Sequence, residues 1–158
     1  MPHLEKNNFH IYSKLHIVLG GYVVSLKKEA DKAYQKAENS LKKNDLAEAG
    51  DDFEWAGICY LDTKDEKRAK ESFLRAAECF EKLGENLVEK DFLGTSADNF
   101  KRAGKCYEQA GEKEKMRKNY QKAADLYQKY AERLEKDGKT ERAKEALKNR
   151  EECLTKTK

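Results

Sequence analysis

The apolar positions of this chain fall into groups with steps of three and four residues, and two of these groups repeat after 47 residues. Steps of three and four follow one face of an α-helix, and a fixed period of about 20 to 50 residues is typical of a solenoid of stacked units. The two best-matched copies are residues 45–91 and 92–138. Their matched pairs are Phe53/Phe100, Ala56/Ala103, Gly57/Gly104, Cys59/Cys106, Tyr60/Tyr107, Phe73/Tyr120, Ala76/Ala123, Ala77/Ala124 and Phe80/Tyr127.

The pattern predicts helices joined by short connections, and each connection carries residues that start or stop a helix. The predicted helices cover about 45–61, 65–87, 95–110, 113–135 and 140–154. Thr63 is predicted to be an N-cap, with Glu66 completing a capping box. A turn is predicted at Phe92-Leu93-Gly94 with Thr95 in the next cap, and a C-terminal cap is predicted at Gly111. A second turn is predicted at Asp137-Gly138, followed by an N-cap at Thr140. Gly84 either bends the second helix or fills a tight crossing.

An incomplete unit precedes the first copy. Leu26, Ala30 and Ala33 stand one period before Phe73, Ala77 and Phe80. Residues 25–43 are therefore predicted to form the second helix of an earlier hairpin. Its partner is expected in residues 9–20, before a break at Gly20-Gly21.

Residues 9–24 form the most apolar run of the chain, and residues 1–24 are treated as an N-terminal helix or extension of unsettled structure. A helix packed on the first complete unit is the favoured prediction, while a strand or an oligomer contact remains open. Lys14, His10, His16 and the Gly20-Gly21 pair disfavour a membrane span. A signal peptide is disfavoured because a small-residue cleavage site is lacking.

Composition supports a single helical domain over residues 1–158. Apolar residues make up 38% of the chain and charged residues 40%, which suits thin helical layers with narrow apolar stripes. The regular aromatic and alanine spacing argues against disorder, the other state typical of so much charge. The Lys and Glu bias is common in hyperthermophile proteins and in helical solenoids generally.

The net charge of +3 is unevenly distributed. Residues 44–99 carry a net charge of −8, whereas both flanking regions are basic, which favours electrostatic orientation of a partner over general polyanion binding. The four cysteines form no C-x-x-C pair, so free, reduced, partly buried thiols and a cytoplasmic location are predicted.

The order of residues within each copy is aromatic, small pair, aromatic, and then, after a turn, alanine, aromatic, alanine. In the first copy these are Phe53, Ala56-Gly57, Tyr60, Ala69, Phe73 and Ala76. This order resembles the tetratricopeptide repeat, although the closing proline is absent and the period exceeds the usual one. Longer helices with a degenerate pattern are more similar to the soluble NSF attachment proteins, vesicle-fusion adaptors. The resemblance implies an all-α, right-handed solenoid of antiparallel helix hairpins, with six to seven helices and residues 139–156 as a capping helix.

In tetratricopeptide proteins the first helix of each pair lines the concave surface, so residues off the core stripe of these helices are candidate partner-binding residues. They are Asp51, Glu54, Trp55, Ile58 and Asp62 in the first copy, and Asp98, Lys101, Arg102, Lys105 and Glu108 in the second. The family's carboxylate clamp is disfavoured because its asparagines are missing. Trp55 is either an interface anchor or packs on the preceding helix near Ala37 or Leu41.

Lys101, Arg102 and Lys105 either form a cationic face for an acidic peptide or pair with Glu108 and Asp98. No catalytic residue, metal-ligand set or cofactor motif is predicted, since the histidines His3, His10 and His16 lie outside the repeats and no Gly-rich phosphate loop occurs. The leading hypothesis is a non-enzymatic adaptor that holds a segment of another protein. The alternatives are homo-oligomeric assembly through the apolar N-terminal segment and, less favoured, nucleic-acid binding.

Overall fold

A computed structural model describes the backbone of residues 5–158 and the side chains of residues 20–158. His3 lies outside the described residues, and so do the side chains of His10 and His16. Six α-helices make up the described part of the chain, and each packs on the next. They are α1 (Glu5–Lys42), α2 (Leu46–Asp62), α3 (Glu66–Glu89), α4 (Leu93–Gln109), α5 (Lys113–Lys136) and α6 (Thr140–Thr155). The prediction of an all-α array of consecutive helix hairpins is confirmed.

Helices recur with the period of the sequence. The starts of α2, α4 and α6 are 47 residues apart, and so are the starts of α3 and α5. The connections recur too, because each has one residue with positive φ. These residues are Asn44, Asp91 and Gly138 before the even-numbered helices, and Lys64 and Gly111 before α3 and α5.

Each connection is a Schellman-type helix ending. At the end of α2, for example, Lys64 N–H donates to the Leu61 carbonyl at 2.9 Å and Asp65 N–H donates to the Tyr60 carbonyl at 2.8 Å. Such an ending needs one residue in the left-handed region, which glycine adopts without the penalty of other residues. Gly111 supplies that residue after α4, where the sequence predicted a C-terminal cap, and Gly138 supplies it in the predicted turn after α5.

Replacing Lys64 with glycine is expected to raise the free energy of unfolding by about 0.5–1 kcal/mol. The φ of +59° costs a residue with a Cβ about 1–2 kcal/mol, and glycine's larger chain entropy in the unfolded state offsets part of the gain. Urea unfolding would measure the change. Gly111→Lys, one period later, is the matched reverse substitution and is expected to destabilise; a Lys64→Gly variant less stable than the parent would contradict the turn geometry.

Three predicted helix starts are wrong. Asp65, not Thr63, is the N-cap of α3 and accepts a hydrogen bond from Arg68 N–H, while Thr63 is the C-cap of α2. Lys139 is the N-cap of α6, so Thr140 is already its first helical residue. The third error is at residues 92–96, where the sequence predicted a turn followed by a helix cap.

Residues 93–96 belong to the first turn of α4, and the chain reverses at Asp91 instead. Small and polar side chains occupy these positions because neighbouring helices pack closely on them. A Cβ on Gly94 would lie 2.8 Å from the Tyr130 ring, and the buried Ser96 hydroxyl donates to the Gly84 carbonyl at 2.7 Å. Helix crossings, not a loop, therefore account for the turn-like composition of this segment.

The predicted break at Gly20-Gly21 does not occur, because α1 is one helix of 38 residues. The separate helix predicted for residues 9–20 is therefore the first half of α1. The repeat explains the lost turn. Ile17 stands one period before Lys64 and Gly111, and a β-branched residue strongly disfavours the positive φ that the turn requires. Val18 replaces the N-cap Asp65 and has no side-chain acceptor to begin a new helix.

The core consists of the small and aromatic residues that the period identified. A Cβ on Gly57 would lie 2.9 Å from the Phe73 ring, and one on Gly104 would lie 3.1 Å from the Tyr120 ring. Small residues at these crossings let the helices approach closely. Gly84 also lies at a crossing, against Phe100, and the second helix continues through it.

The four cysteines are free and buried, as predicted. Burial raises the pKa of the Cys79 and Cys153 thiols to about 11 and that of the Cys106 thiol to about 12. These thiols are protonated at neutral pH, and only a thiolate is an effective nucleophile. The described structure therefore uses its cysteines as small apolar core residues.

Cations of α3 and α5 cover aromatic rings of the preceding helix, which the sequence analysis did not anticipate. The cation-to-centroid pairs are Arg68 over Tyr60 at 5.5 Å, Lys115 over Tyr107 at 5.3 Å, Arg75 over Phe53 at 5.1 Å and Lys122 over Phe100 at 4.7 Å. Arg75 also pairs with Glu38 at 2.6 Å, and Lys122 pairs with Glu85 at 3.2 Å. Every one of these interactions recurs after 47 residues, so the repeat includes the surface as well as the core.

Candidate partner-binding surface

The even-numbered helices α2, α4 and α6 lie side by side and form one face of the array, here called the even face. Polar contacts join neighbours on this face: Arg102 of α4 contacts α2, and Lys101 of α4 contacts α6. All ten predicted partner-binding residues belong to α2 or α4. The structure therefore places them on adjacent helices of a common face.

Arg102 joins α2 to α4. Its guanidinium donates to Asp51 Oδ1 and to Glu54 Oε2, each at 2.6 Å. The same group lies 3.8 Å from the centroid of the Phe80 ring, which makes it a cation–π contact as well. These three partners hold Arg102 between α2 and α4, and Asp51 and Glu54 form a partly exposed ion-pair cluster with it.

Lys101 joins α4 to α6. Its ammonium donates to Asn149 Oδ1 at 2.9 Å and to Glu152 Oε2 at 2.8 Å. That hydrogen bond lowers the pKa of the Glu152 carboxyl. Lys101 is thus engaged with the neighbouring helix rather than presented to an acidic peptide.

Neither of these cations is paired with Asp98 or Glu108, as one of the sequence interpretations expected. Asp98 accepts a hydrogen bond from the Tyr127 hydroxyl at 2.5 Å, and Glu108 accepts one from the Tyr120 hydroxyl at 3.2 Å. Both tyrosines belong to α5. The expected pairing between charges of the same helix does not form, because the two carboxylates accept hydrogen bonds from the neighbouring helix α5 instead.

An exposed apolar row crosses the even face on α2. It consists of Trp55, Ile58 and Leu61, which are 45%, 40% and 47% exposed. One interpretation of the sequence placed Trp55 against the preceding helix near Ala37 or Leu41, but with nearly half of its surface open the ring is not buried there. The row is called the α2 apolar row below.

The second copy replaces this row with charges. Arg102, Lys105 and Glu108 stand one period after the three apolar residues. Lys105 is exposed and has no ion pair among the described residues, and Asp62 at the end of α2 is also exposed. The two copies are therefore alike in the core but different on the even face, and the apolar row belongs to the first copy alone.

Trp55 and Ile58 were predicted from the sequence as partner-binding residues, but Leu61 was not. Leu61 follows Tyr60 of the core stripe, so it looked like the end of a buried segment. Comparing the copies could have found it, because its counterpart Glu108 has a charged side chain that belongs on the surface.

Among residues 20–158, no group of three or more His, Cys, Asp and Glu side chains is arranged to hold a metal ion. No described helix has the length and apolar character needed to cross a bilayer. The sequence matches no protein-family model and no curated protein.

Proposed function

We propose that this protein is a non-enzymatic adaptor that binds an apolar segment of another protein on its even face. The α2 apolar row is the observation that carries this proposal. Single apolar side chains on a surface are ordinary, but a contiguous row rimmed by polar residues is typical of an interaction site. The family resemblance supports the same face, because tetratricopeptide proteins bind partners on the equivalent helices.

The interactions around the row favour a rigid site. Arg102 ties α2 to α4 on one side, and α1 and α3 pack against the other faces of α2. A surface that is already ordered loses little conformational freedom on binding. Each large apolar side chain of the row is 40–47% exposed, so covering it would contribute about 0.7–1.4 kcal/mol before that ordering cost is subtracted.

Charge around the row favours a partner with basic residues beside its apolar ones. Helix α2 carries five acidic residues and no basic residue. Lys36 and Arg102 neutralise some of these, whereas Asp62 has no ion pair among the described residues. An apolar segment flanked by Lys or Arg would therefore be oriented by the field of α2 as it docks.

Ile58→Asp is expected to weaken partner binding at least tenfold, because a carboxylate at the centre of the row would be buried without a counter-charge. The partner would first be isolated by crosslinking to the intact protein, and its binding segment then titrated as a peptide. Trp55 is the only tryptophan, so its fluorescence reports directly on the row and should shift to shorter wavelength as the peptide covers it.

Val88→Asp is the matched control. Val88 lies on α3 with an exposure similar to that of Ile58, and it lies outside the even face. The Val88→Asp variant should bind the peptide with the same affinity as the parent protein. Equal binding by Ile58→Asp, with no change in Trp55 fluorescence, would exclude the α2 apolar row as the binding site.

A further inference from the structure

One face of α3 and of α5 is covered by the even-numbered helix that comes before it. Four positions form this face, at steps of four, three and four residues. They are Ala69, Phe73, Ala76 and Phe80 in α3, and Met116, Tyr120, Ala123 and Tyr127 in α5. The Phe73 ring lies against Gly57 of α2. The Tyr120 ring lies in the same way against Gly104 of α4, so a preceding helix covers this face in both copies.

Helix α1 has the same face, and it is largely open to solvent. Its four positions, one period earlier, are Tyr22, Leu26, Glu29 and Ala33. Tyr22 is 62% exposed, whereas Ala69 is 2% exposed. Glu29 is exposed, whereas Ala76 is fully buried. Because α1 is one continuous helix from Glu5, the residues before this face cannot fold back onto it. The open face beside α2 is called the α1–α2 socket.

Trp55 borders the socket on the side of α2. It stands one period before Arg102, whose guanidinium reaches back from α4 to Asp51 and Glu54 of the preceding even-numbered helix. Trp55 therefore occupies the position from which an even-numbered helix contacts the one before it. In the described chain α2 is the first helix of the even face, and Trp55 is 45% exposed. The α1–α2 socket is thus continuous with the α2 apolar row.

Two carboxylates without ion pairs give the socket a negative charge. Glu29 of α1 and Asp62 of α2 are both exposed, and neither forms a salt bridge among the described residues. Both lie near the Cys59 thiol, because burial raises the pKa of that thiol and the two carboxylates raise it further. Unpaired carboxylates of this kind attract and orient Lys or Arg side chains.

We infer that the partner segment is a basic, amphipathic α-helix that docks in the α1–α2 socket as α2 docks against α3 and α4. This inference rests on the proposed adaptor function and specifies its partner. The later copies provide the template, since a helix covers the equivalent four positions in both of them. A helix also satisfies its own backbone hydrogen bonds, whereas an extended segment is held by a sheet edge, and the described chain has none.

Side-chain size indicates what the partner helix carries. In the first copy the large rings belong to α3, and α2 meets them with the glycines Gly50 and Gly57, seven residues apart. In the socket the sizes are reversed, because Ala33 stands in place of Phe80 and Leu26 in place of Phe73. A partner helix that fills this space therefore has large apolar side chains seven residues apart, where α2 has glycine.

Two synthetic peptides of the same leucine and lysine composition would test the helical partner. Each has 17 residues, the length of α2. One places leucine at alternating steps of three and four, the pattern of a helix, and the other at every second residue, the pattern of a strand. In a fluorescence anisotropy titration the helical peptide should bind the full chain at least tenfold more tightly. Equal binding, tighter binding by the strand peptide or no binding by the helical one at millimolar concentration would overturn the inference.

Tyr22→Lys is expected to weaken binding of the helical peptide about tenfold, because it removes an apolar contact and adds a like charge. Val24→Lys is the matched control, since Val24 is 56% exposed and lies almost on the opposite side of α1. It should bind as the parent does, and equal affinities of the two variants would contradict docking in the socket.

The crosslinked partner separates this inference from the adaptor function. If Ile58→Asp weakens its binding and Tyr22→Lys does not, the adaptor function stands and helical docking in the socket is wrong. If neither variant changes its binding, both proposals are wrong.

Discussion

Phe80→Ala is expected to lower the free energy of unfolding by about 3–5 kcal/mol. Phe80 is fully buried, and its ring contacts two neighbouring helices of the array. The ring belongs to α3, lies against Gly50 of α2 and is covered by the guanidinium of Arg102 from α4. Alanine would leave a cavity that these helices cannot close, and it would remove the ring that supports Arg102.

Urea unfolding followed by far-ultraviolet circular dichroism would measure this loss. Phe92→Ala is the matched control, because it makes the same substitution at a phenylalanine that is 57% exposed. Its effect should stay within about 0.5 kcal/mol, as for most surface substitutions. Similar losses of unfolding free energy in both variants would contradict the packing of the Phe80 ring between these helices.

Gly50→Ala is expected to destabilise the protein by about 1–2 kcal/mol, although alanine is the better helix former. A Cβ at this position would lie 2.5 Å from the buried ring of Phe80, so the ring or the helices must move. Overpacking of a core costs about 1–3 kcal/mol, and the helix propensity of alanine returns up to about 1 kcal/mol. The net effect is therefore opposite to that of a glycine-to-alanine change on an open helix.

The distances also predict an order among three crossings. A Cβ would lie 2.5 Å from the nearest ring at Gly50, 2.9 Å at Gly57 and 3.1 Å at Gly104, so the loss of stability should decrease in that order. Gly21→Ala is the control without a neighbour, since nothing lies within 4 Å of a Cβ there. It should leave the unfolding free energy unchanged or raise it. A Gly50→Ala variant more stable than its parent would contradict the close approach of α2 and α3.

The helices and the core could be predicted because both depend on local spacing. The stripe from Phe53 to Phe80 is buried as expected, and the glycines Gly57 and Gly104 lie at crossings. Helix starts were harder to predict, because threonine and serine are N-caps in many proteins and small packing residues in others, and no helix from α2 to α6 has either as its N-cap. Ser96 illustrates the second use, since its hydroxyl bonds to the Gly84 carbonyl inside a crossing.

The candidate site was predictable only in part. Its location on α2 and α4 followed from the family resemblance, and Trp55 and Ile58 remain its central residues. The pairing of its charges was not predictable, because Arg102 reaches carboxylates 48 and 51 residues earlier in the chain. Such pairs depend on how far one helix is displaced along the next.

The sequence by itself determined the helical class, the 47-residue period and the small-against-aromatic core, because helical spacing and side-chain volume are properties of neighbouring residues. The lateral stacking of the helices decided the rest. It placed Arg102 over Phe80, engaged Lys101 with α6 and left the α2 apolar row uncovered. It also left residues 20–25 of α1 exposed, because the chain continues as one helix where the later repeats turn back.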